Sequence, residues 1–196
     1  MFKNSFEALV FAYGDYKDRW ERSTVNRMAA PGKGNGGLSG VDRAAQAGMI
    51  RAEVHELGKV PEAMIVARVS AHKLRCACGH ACCSGWSPNL EWSSACAVLA
   101  DHIRNTALAG CTANGVMRRE YVVRYFSRKG ERESVERLAN RYGLDRHTVG
   151  AHYQRVANLL GGHPGGKDAS NVSIGLEAQA MSRIEDRLDK LGLLDE

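Results

Sequence analysis

The sequence predicts an all-α protein: a helical domain with a small cysteine-rich turn and a C-terminal helix-turn-helix. Three observations point there. Apolar residues recur every three or four positions along most of the chain, the period of an amphipathic helix. Strand-like alternation is nearly absent, since VVRYF (122–126) is short and embedded in helical spacing. Two glycine-rich breaks, PGKGNGGLSG (31–40) and GGHPGGKDASN (161–171), punctuate the helices. At 196 residues and 44% apolar, the chain suits one ordinary domain or two small ones rather than a disordered tail.

The elements follow in order. The span 1–30 carries an N-terminal helix in which Phe6, Leu9, Val10, Tyr13, Tyr16 and Trp20 share a face. A Gly-rich linker, 31–40, comes next. Its Gly-Lys pair lacks the preceding strand and the spacing of a phosphate loop. The span 41–115 reads as a helical domain. VDRAAQAGMIRAEVHEL places Ala45, Met49, Val54 and Leu57 inward, and PEAMIVARVSAHKL places Met64, Ile65, Val69 and Leu74 inward, with Pro61 in the first turn. A cysteine-rich insert (72–96) leads into a helix over 89–110 that stops at Gly110.

The segment 116–162 reads as a DNA-binding helix-turn-helix. Its first helix, about 134–141, buries Val135, Leu138 and Ala139. Small Ala139 admits a second helix, and Gly143 supplies the positive φ of a tight turn. Asp145 caps the second helix through the amide of Thr148 or His147. Val149, Tyr153, Val156 and Leu160 face inward, while Arg146, His147, Thr148, Ala151, His152 and Arg155 face outward. Those outward residues are donors for phosphates and base edges, displayed as on a recognition helix. Gly150, in mid-helix, costs roughly 1 kcal/mol against Ala and serves either a close backbone approach or nothing but flexibility. A second linker (163–175) tethers an amphipathic C-terminal helix (176–196). Its stripe of Met181, Ile184, Leu188 and Leu191 packs on its own domain, pairs with a second copy as a homodimer, or docks on a partner.

CACGHACCSGW (76–86) concentrates Cys76, Cys78, Cys82 and Cys83 with His80. Zinc takes four thiolate or imidazole ligands, so these cysteines are candidates for one structural zinc ion, with His80, His72 or Cys111 as alternates. The spacing C-x-C plus an adjacent C-C differs from the usual C-x2-C pair. Adjacent cysteines hold one ion only with a distorted backbone, so one of Cys82 and Cys83 points away. The other reading is a reduced turn whose thiols act as small hydrophobes. Redox chemistry is disfavoured because no C-x-x-C is present. Trp86 and Trp92 are expected to cover the apolar side of this turn, with Pro88 and Asn89 starting the next helix.

Charge is local. Of a net +5, residues 118–155 hold ten Arg and Lys against five Asp and Glu, whereas residues 167–196 hold four against seven. A basic segment of this kind suits an anionic partner. Arg118, Arg119, Arg124, Arg128, Lys129, Arg132 and Arg141 are the candidate phosphate contacts, about half of which can face one duplex. An unperturbed imidazole side chain has a pKa near 6.5, so binding through His147 and His152 is expected to strengthen below that pH. No apolar run reaches the ~18 residues of a membrane span, and charge interrupts the N-terminus too often for a signal peptide. The reading is a cytoplasmic protein with reduced thiols. No phosphate loop, spaced carboxylate pair or nucleophile elbow points to an enzyme, and the cysteine cluster lacks the HxE of a zinc deaminase.

DRHTVGAHYQRVANLLGG resembles the recognition helix shared by sigma-factor region 4 and response-regulator effectors with a T-V-x-x-H pattern, here Thr148, Val149 and His152. RREYVVRYFSRKGERESVERLANRYGL, before it, is similar to the same group. A second resemblance, to late-gene antiterminators of the Q type and related prophage families with a CCSG signature, rests on Cys82, Cys83, Ser84, Gly85, Asn89, Glu91, Trp92 and the run from Arg119 to Phe126. It implies a bacteriophage regulator that binds double-stranded DNA beside a late promoter and makes RNA polymerase ignore terminators. The alternatives are a small-terminase-like packaging subunit and a polymerase-binding module without specific DNA binding.

Overall fold

The computed structural model describes residues 2–14, 40–76, 78, 80, 83–163 and 173–195, with side chains from residue 43 onward in the second of these spans. Tyr16, Trp20, Cys82 and most of both glycine-rich breaks lie outside the described residues. Among those described there are eight α-helices and two very short antiparallel pairs, so the fold is all-α as the spacing predicts.

Helix α1 (Ser5–Tyr13) starts where Asn4 accepts the amide of Glu7 at 2.8 Å, an N-cap. It buries Ala8, Leu9, Ala12 and Tyr13 but leaves Phe6 49% exposed and Val10 half-exposed, so the predicted face is rotated. Arg51 fixes the rotation: its guanidinium lies 4.4 Å from the Tyr13 ring centre, and its Nε donates to the Ala12 carbonyl at 2.9 Å. Helix α2 (Gly40–His55) is likewise rotated from expectation. Ala47, Ile50 and Val54 are buried while Met49 is 51% exposed and Ala45 faces solvent.

Helix α3 (Lys59–Val69) buries five residues in succession, Ala63 to Ala67. A helix apolar nearly all round belongs at the centre, and α3 packs against α1 and α2 as well as the later helices α4 (Leu90–Arg104) and α8 (Leu176–Lys190). Leu74, expected on the same helix, falls instead in β1 (Lys73–Arg75), which pairs with β2 (Trp86–Pro88) in the register Leu74 to Ser87. Asn89 then caps α4 through the amide of Glu91 at 3.0 Å. Helix α4 buries Trp92, Cys96, Leu99 and Ile103; it ends at Arg104, and Gly110 takes its positive φ, 74°, in the turns that follow.

Helix α5 (Gly115–Phe126) packs on α4 and on α7 (Arg146–Gly161). The short α6 (Val135–Tyr142) leads into α7 through Gly143, at φ 62° in the left-handed region, and Asp145 accepts the amide of Thr148 at 2.9 Å. Leu138, Ala139, Val149, Val156 and Leu160 are buried between these helices; Tyr153 and Val135 are half-buried. A Cβ on Gly150 would meet only Val135 Cγ1 at 3.9 Å, so no backbone approach requires that glycine and it merely weakens α7.

The second break is less of a tether than its composition suggests. Gly162 and His163 (β3) pair with Ile174 and Ser173 (β4). Helix α8 then returns across α3, α7, α2 and α1. Its stripe residues Ile184 and Leu188, with Ala180, are fully buried, while Met181 is half-buried and Leu191 exposed. Its buried residues Ile184 and Leu188 face their own chain. Arg187 donates to Glu53 at 2.6 Å, and Arg68 grips Glu177 through two bonds of 2.5 and 2.6 Å, with Tyr125 donating to the same carboxylate. A bridge joins Phe2 to Leu194. Buried residues of all eight helices form one cluster.

Candidate nucleic-acid interface and cysteine knuckle

The outer face of α7 carries Arg146, His147, Thr148, Ala151 and Arg155, all exposed. Arg146 makes no ion pair among the described residues. The Thr148 hydroxyl bonds to Asp145 at 3.2 Å, and the Thr148 amide holds the Asp145 carboxyl below the usual range, so the start of α7 is firmly built. Arg155 turns toward the α4–α5 loop, where its Nη1 lies 3.3 Å from Cys111 Sγ.

His152 departs from its expected role. It is half-buried, with its Nδ1 3.3 Å from the Tyr121 hydroxyl and its ring edge-on to Tyr121 at 6.1 Å. Burial, and then Arg155, push its pKa down. Its ring is thus engaged inside the chain rather than displayed beside Arg146 and His147, and the lowered pKa works against a gain in DNA binding from its protonation. The absent signal was Tyr121, a partner on another helix.

The phosphate candidates divide in the same way. Arg141 is held in ion pairs with Glu133 and, at 3.7 Å, Glu120. Arg124 lies 4.7 Å from the Tyr153 ring centre with its Nε and Nη1 buried, and desolvation lowers its pKa. Arg118 donates to the Ala113 carbonyl, Arg119 to Ser93, and Arg132 to the carbonyls of Tyr125 and Ser127. Arg128 and Lys129 are exposed on the α5–α6 loop. The sequence made all of these side chains phosphate candidates, about half of them for one duplex, and helix packing commits several of them to internal bonds.

At the tip of the β1–β2 hairpin, the sulfurs of Cys76, Cys78 and Cys83 all lie within 4.8 Å of one another, a grouping that can hold a metal ion. The backbone builds it: the Cys76 amide donates to Gly85 at 2.9 Å, the Cys83 amide to His80 at 3.0 Å, and the Gly85 amide to Cys83 Sγ at 3.4 Å. Gly85, at φ 77°, makes the reversal. The His80 amide, aided by the neighbouring thiols, pulls the Cys78 pKa down. For Cys76 the Cys78 amide acts downward, but bonds to Cys78 and Cys83 outweigh it and raise that thiol. Amides aimed at sulfur favour thiolates, the form that ligates metal.

Two alternates are placed elsewhere. Cys111 sits beside Arg155, and His72 stacks on Trp92 with ring centres 4.2 Å apart. Neither belongs to the sulfur group, and the exposed His80 ring is not part of it either. Trp92 is a core residue that donates Nε1 to the Ala67 carbonyl at 3.1 Å, and Trp86 lies in the open beneath Arg75, so neither caps the cysteines as expected.

Burial lowers the pKa of His72, as it does that of His152. A histidine whose folded pKa lies below its unfolded value, near 6.5, binds fewer protons when folded. Its contribution is intact above pH ~6.5 and is lost as pH falls from there through the depressed folded value. The thermal midpoint is thus expected to drop on acidification below about pH 6.5, and the double variant His72→Asn, His152→Asn to flatten that limb. Identical pH profiles for the two proteins would contradict this.

No helix among the described residues is long and apolar enough to cross a membrane. Compared with known protein families, with curated proteins and with solved structures, the chain matches none.

Proposed function

We propose that the chain is a phage-type transcription regulator that binds double-stranded DNA through α7 and acts on late genes by antitermination through RNA polymerase. The observation that carries this reading is the pairing of α6 with α7 across the left-handed Gly143. It leaves the N-terminal half of α7 solvent-facing with Arg146, His147, Thr148 and Ala151, the disposition of a recognition helix. Arg155 extends that face, and Arg128 and Lys129 add phosphate contacts from the neighbouring loop.

The test is salt-titrated binding to the duplex downstream of the protein's own gene, compared with a scrambled duplex. Arg146→Ala is expected to cost roughly 1–3 kcal/mol on the cognate duplex and to narrow the preference over the scrambled one. Unchanged discrimination would remove α7 from the role. A polymerase-binding module without specific DNA binding is the second reading. Its support is that His152 and Arg141 are engaged inside the chain, which thins the donor set that a base-reading surface needs.

For the knuckle, the chemistry of three clustered thiolates favours zinc. Cys76, Cys78 and Cys83 serve as ligands, with Cys82 or His80 as the fourth. Metal analysis of protein purified without chelator is expected to give one zinc per chain, abolished by Cys78→Ser and untouched by Cys111→Ser. Zinc retained in Cys78→Ser would leave the cysteines as packing residues.

A further inference from the structure

Between the end of α3, the β1–β2 hairpin and the loop after α5 lies a cleft of about 710 Å3, whose lining shares only Arg128 with the DNA surface proposed above. That volume falls within the ~300–1,000 Å3 of small-ligand pockets. Its walls combine an aromatic surface with cations. Trp86, 51% exposed on β2, borders it. Lys73 and Arg128, both exposed, stand at its rim, and neither forms an ion pair among the described residues. Arg68 also lines the cleft but is spent on Glu177 and stacks 5.0 Å from the Phe126 ring centre, so it is a wall rather than a donor. Ser70, 5% exposed at the end of α3, has a hydroxyl with no hydrogen-bond partner in the protein. Glu131 adds one acceptor.

These features select a ligand class. Lys73 and Arg128 call for an anion, and an indole face beside them calls for a planar ring. The buried Ser70 hydroxyl and the exposed Glu131 carboxylate on the wall suit the donors and acceptors of that ring's edge. A duplex cannot enter a concave site of this size, because its bases are stacked inward. An unpaired nucleotide can, stacking its base on the aromatic face while the cations take its phosphate. We propose that this cleft binds one nucleotide unit, with the base on Trp86, the phosphate on Lys73 and Arg128, and the base edge toward Ser70 and Glu131. Arg75, across the hairpin at 5.9 Å from the Trp86 ring centre, backs the indole. This deepens the nucleic-acid reading above: α7 takes duplex, and the cleft takes a base that is out of the stack.

The test uses the full-length protein and a fluorescein-labelled single-stranded dT10, read by anisotropy, with unlabelled dTMP as competitor. Trp86→Ala is expected to weaken dT10 binding about 5- to 150-fold, while Trp86→Phe, which keeps a ring, retains most of the affinity. Lys73→Gln and Arg128→Gln are each expected to reduce the slope of log affinity against log salt by about 0.7. Competition by dTMP at concentrations near its own nucleotide equivalent assigns the site to a free nucleotide, and competition by oligomer alone assigns it to a single strand. Trp86→Ala with unchanged affinity and unchanged helical circular dichroism overturns the proposal, as does failure of both dT10 and dTMP to bind. Duplex binding is measured on the same preparations. Loss of cognate preference there with dT10 binding intact rejects the role of α7 alone, and the converse rejects the cleft alone.

Discussion

Ile184→Ala is expected to destabilise the protein by about 2–5 kcal/mol, the range for deleting a fully buried aliphatic side chain. Ile184 has no exposed surface and sits with Ala180 and Leu188 on the face of α8 that lies across α3. Against a total stability of roughly 5–15 kcal/mol, this loss moves the urea midpoint far enough to measure with confidence. The experiment also decides what the stripe is for. A stripe that pairs two copies makes the midpoint rise with protein concentration, whereas a stripe packed on its own chain does not. Both Ile184→Ala and the parent are therefore expected to melt at midpoints independent of concentration. A concentration-dependent parent midpoint would return α8 to the role of a dimer face.

Gly175→Ala is the second large effect, on the order of 3 kcal/mol, at the upper end of overpacking costs. A Cβ at that position would lie 2.6 Å from the Leu160 carbonyl oxygen and closer still to the backbone of Gly161 and Gly162. Backbone cannot swing aside as a side chain does. The end of α7 and the start of α8 would have to part, weakening the β3–β4 pair and the grip of Arg68 on Glu177. Urea unfolding and hydrogen exchange along α8 give the measurement. A loss under about 0.5 kcal/mol, the scale of an ordinary surface substitution, would mean that the crossing is loose.

What could be read from the chain depended on how local the cause was. The α6–α7 boundary was legible because its signals are neighbours in sequence: Ser134 caps α6 through Arg137, Gly143 ends it, and Asp145 caps α7 through Thr148. The faces of α1 and α2 were not. Phe6, Leu9, Val10 and Tyr13 fit one helical stripe, and the side holding Leu9 and Tyr13 is selected by packing on the distant α2, α3 and α8, with Arg51 holding Ala12 and Tyr13. The β1–β2 hairpin was missed because each strand has three residues, too few to show alternation against helical flanks. At the candidate sites the residue types were informative and their partners were not. Cys76, Cys78 and Cys83 do gather, but nothing in the spacing excluded His72 or Cys111. Arg124 and His152 were candidates for the DNA-facing surface, yet Tyr153 of α7 and Tyr121 of α5 hold them in.

The bridge between Phe2 and Leu194 has a consequence for how the chain is made. The Phe2 amide donates to Leu193 at 2.9 Å and the Asp195 amide to Phe2 at 2.8 Å, and α1 packs against α8. On the ribosome, α1 emerges well before α8 and must wait for it before its contacts there can form. At about 5–20 residues per second, that interval is of order ten to forty seconds for the 196-residue chain. During it the central α3 lacks one of its covers, so its apolar surface is open to whatever binds nascent chains. Joining residues 195 and 2 through a short linker and opening the chain elsewhere would turn this long-range contact into a local one, and such a permutant should fold faster than its parent at similar stability.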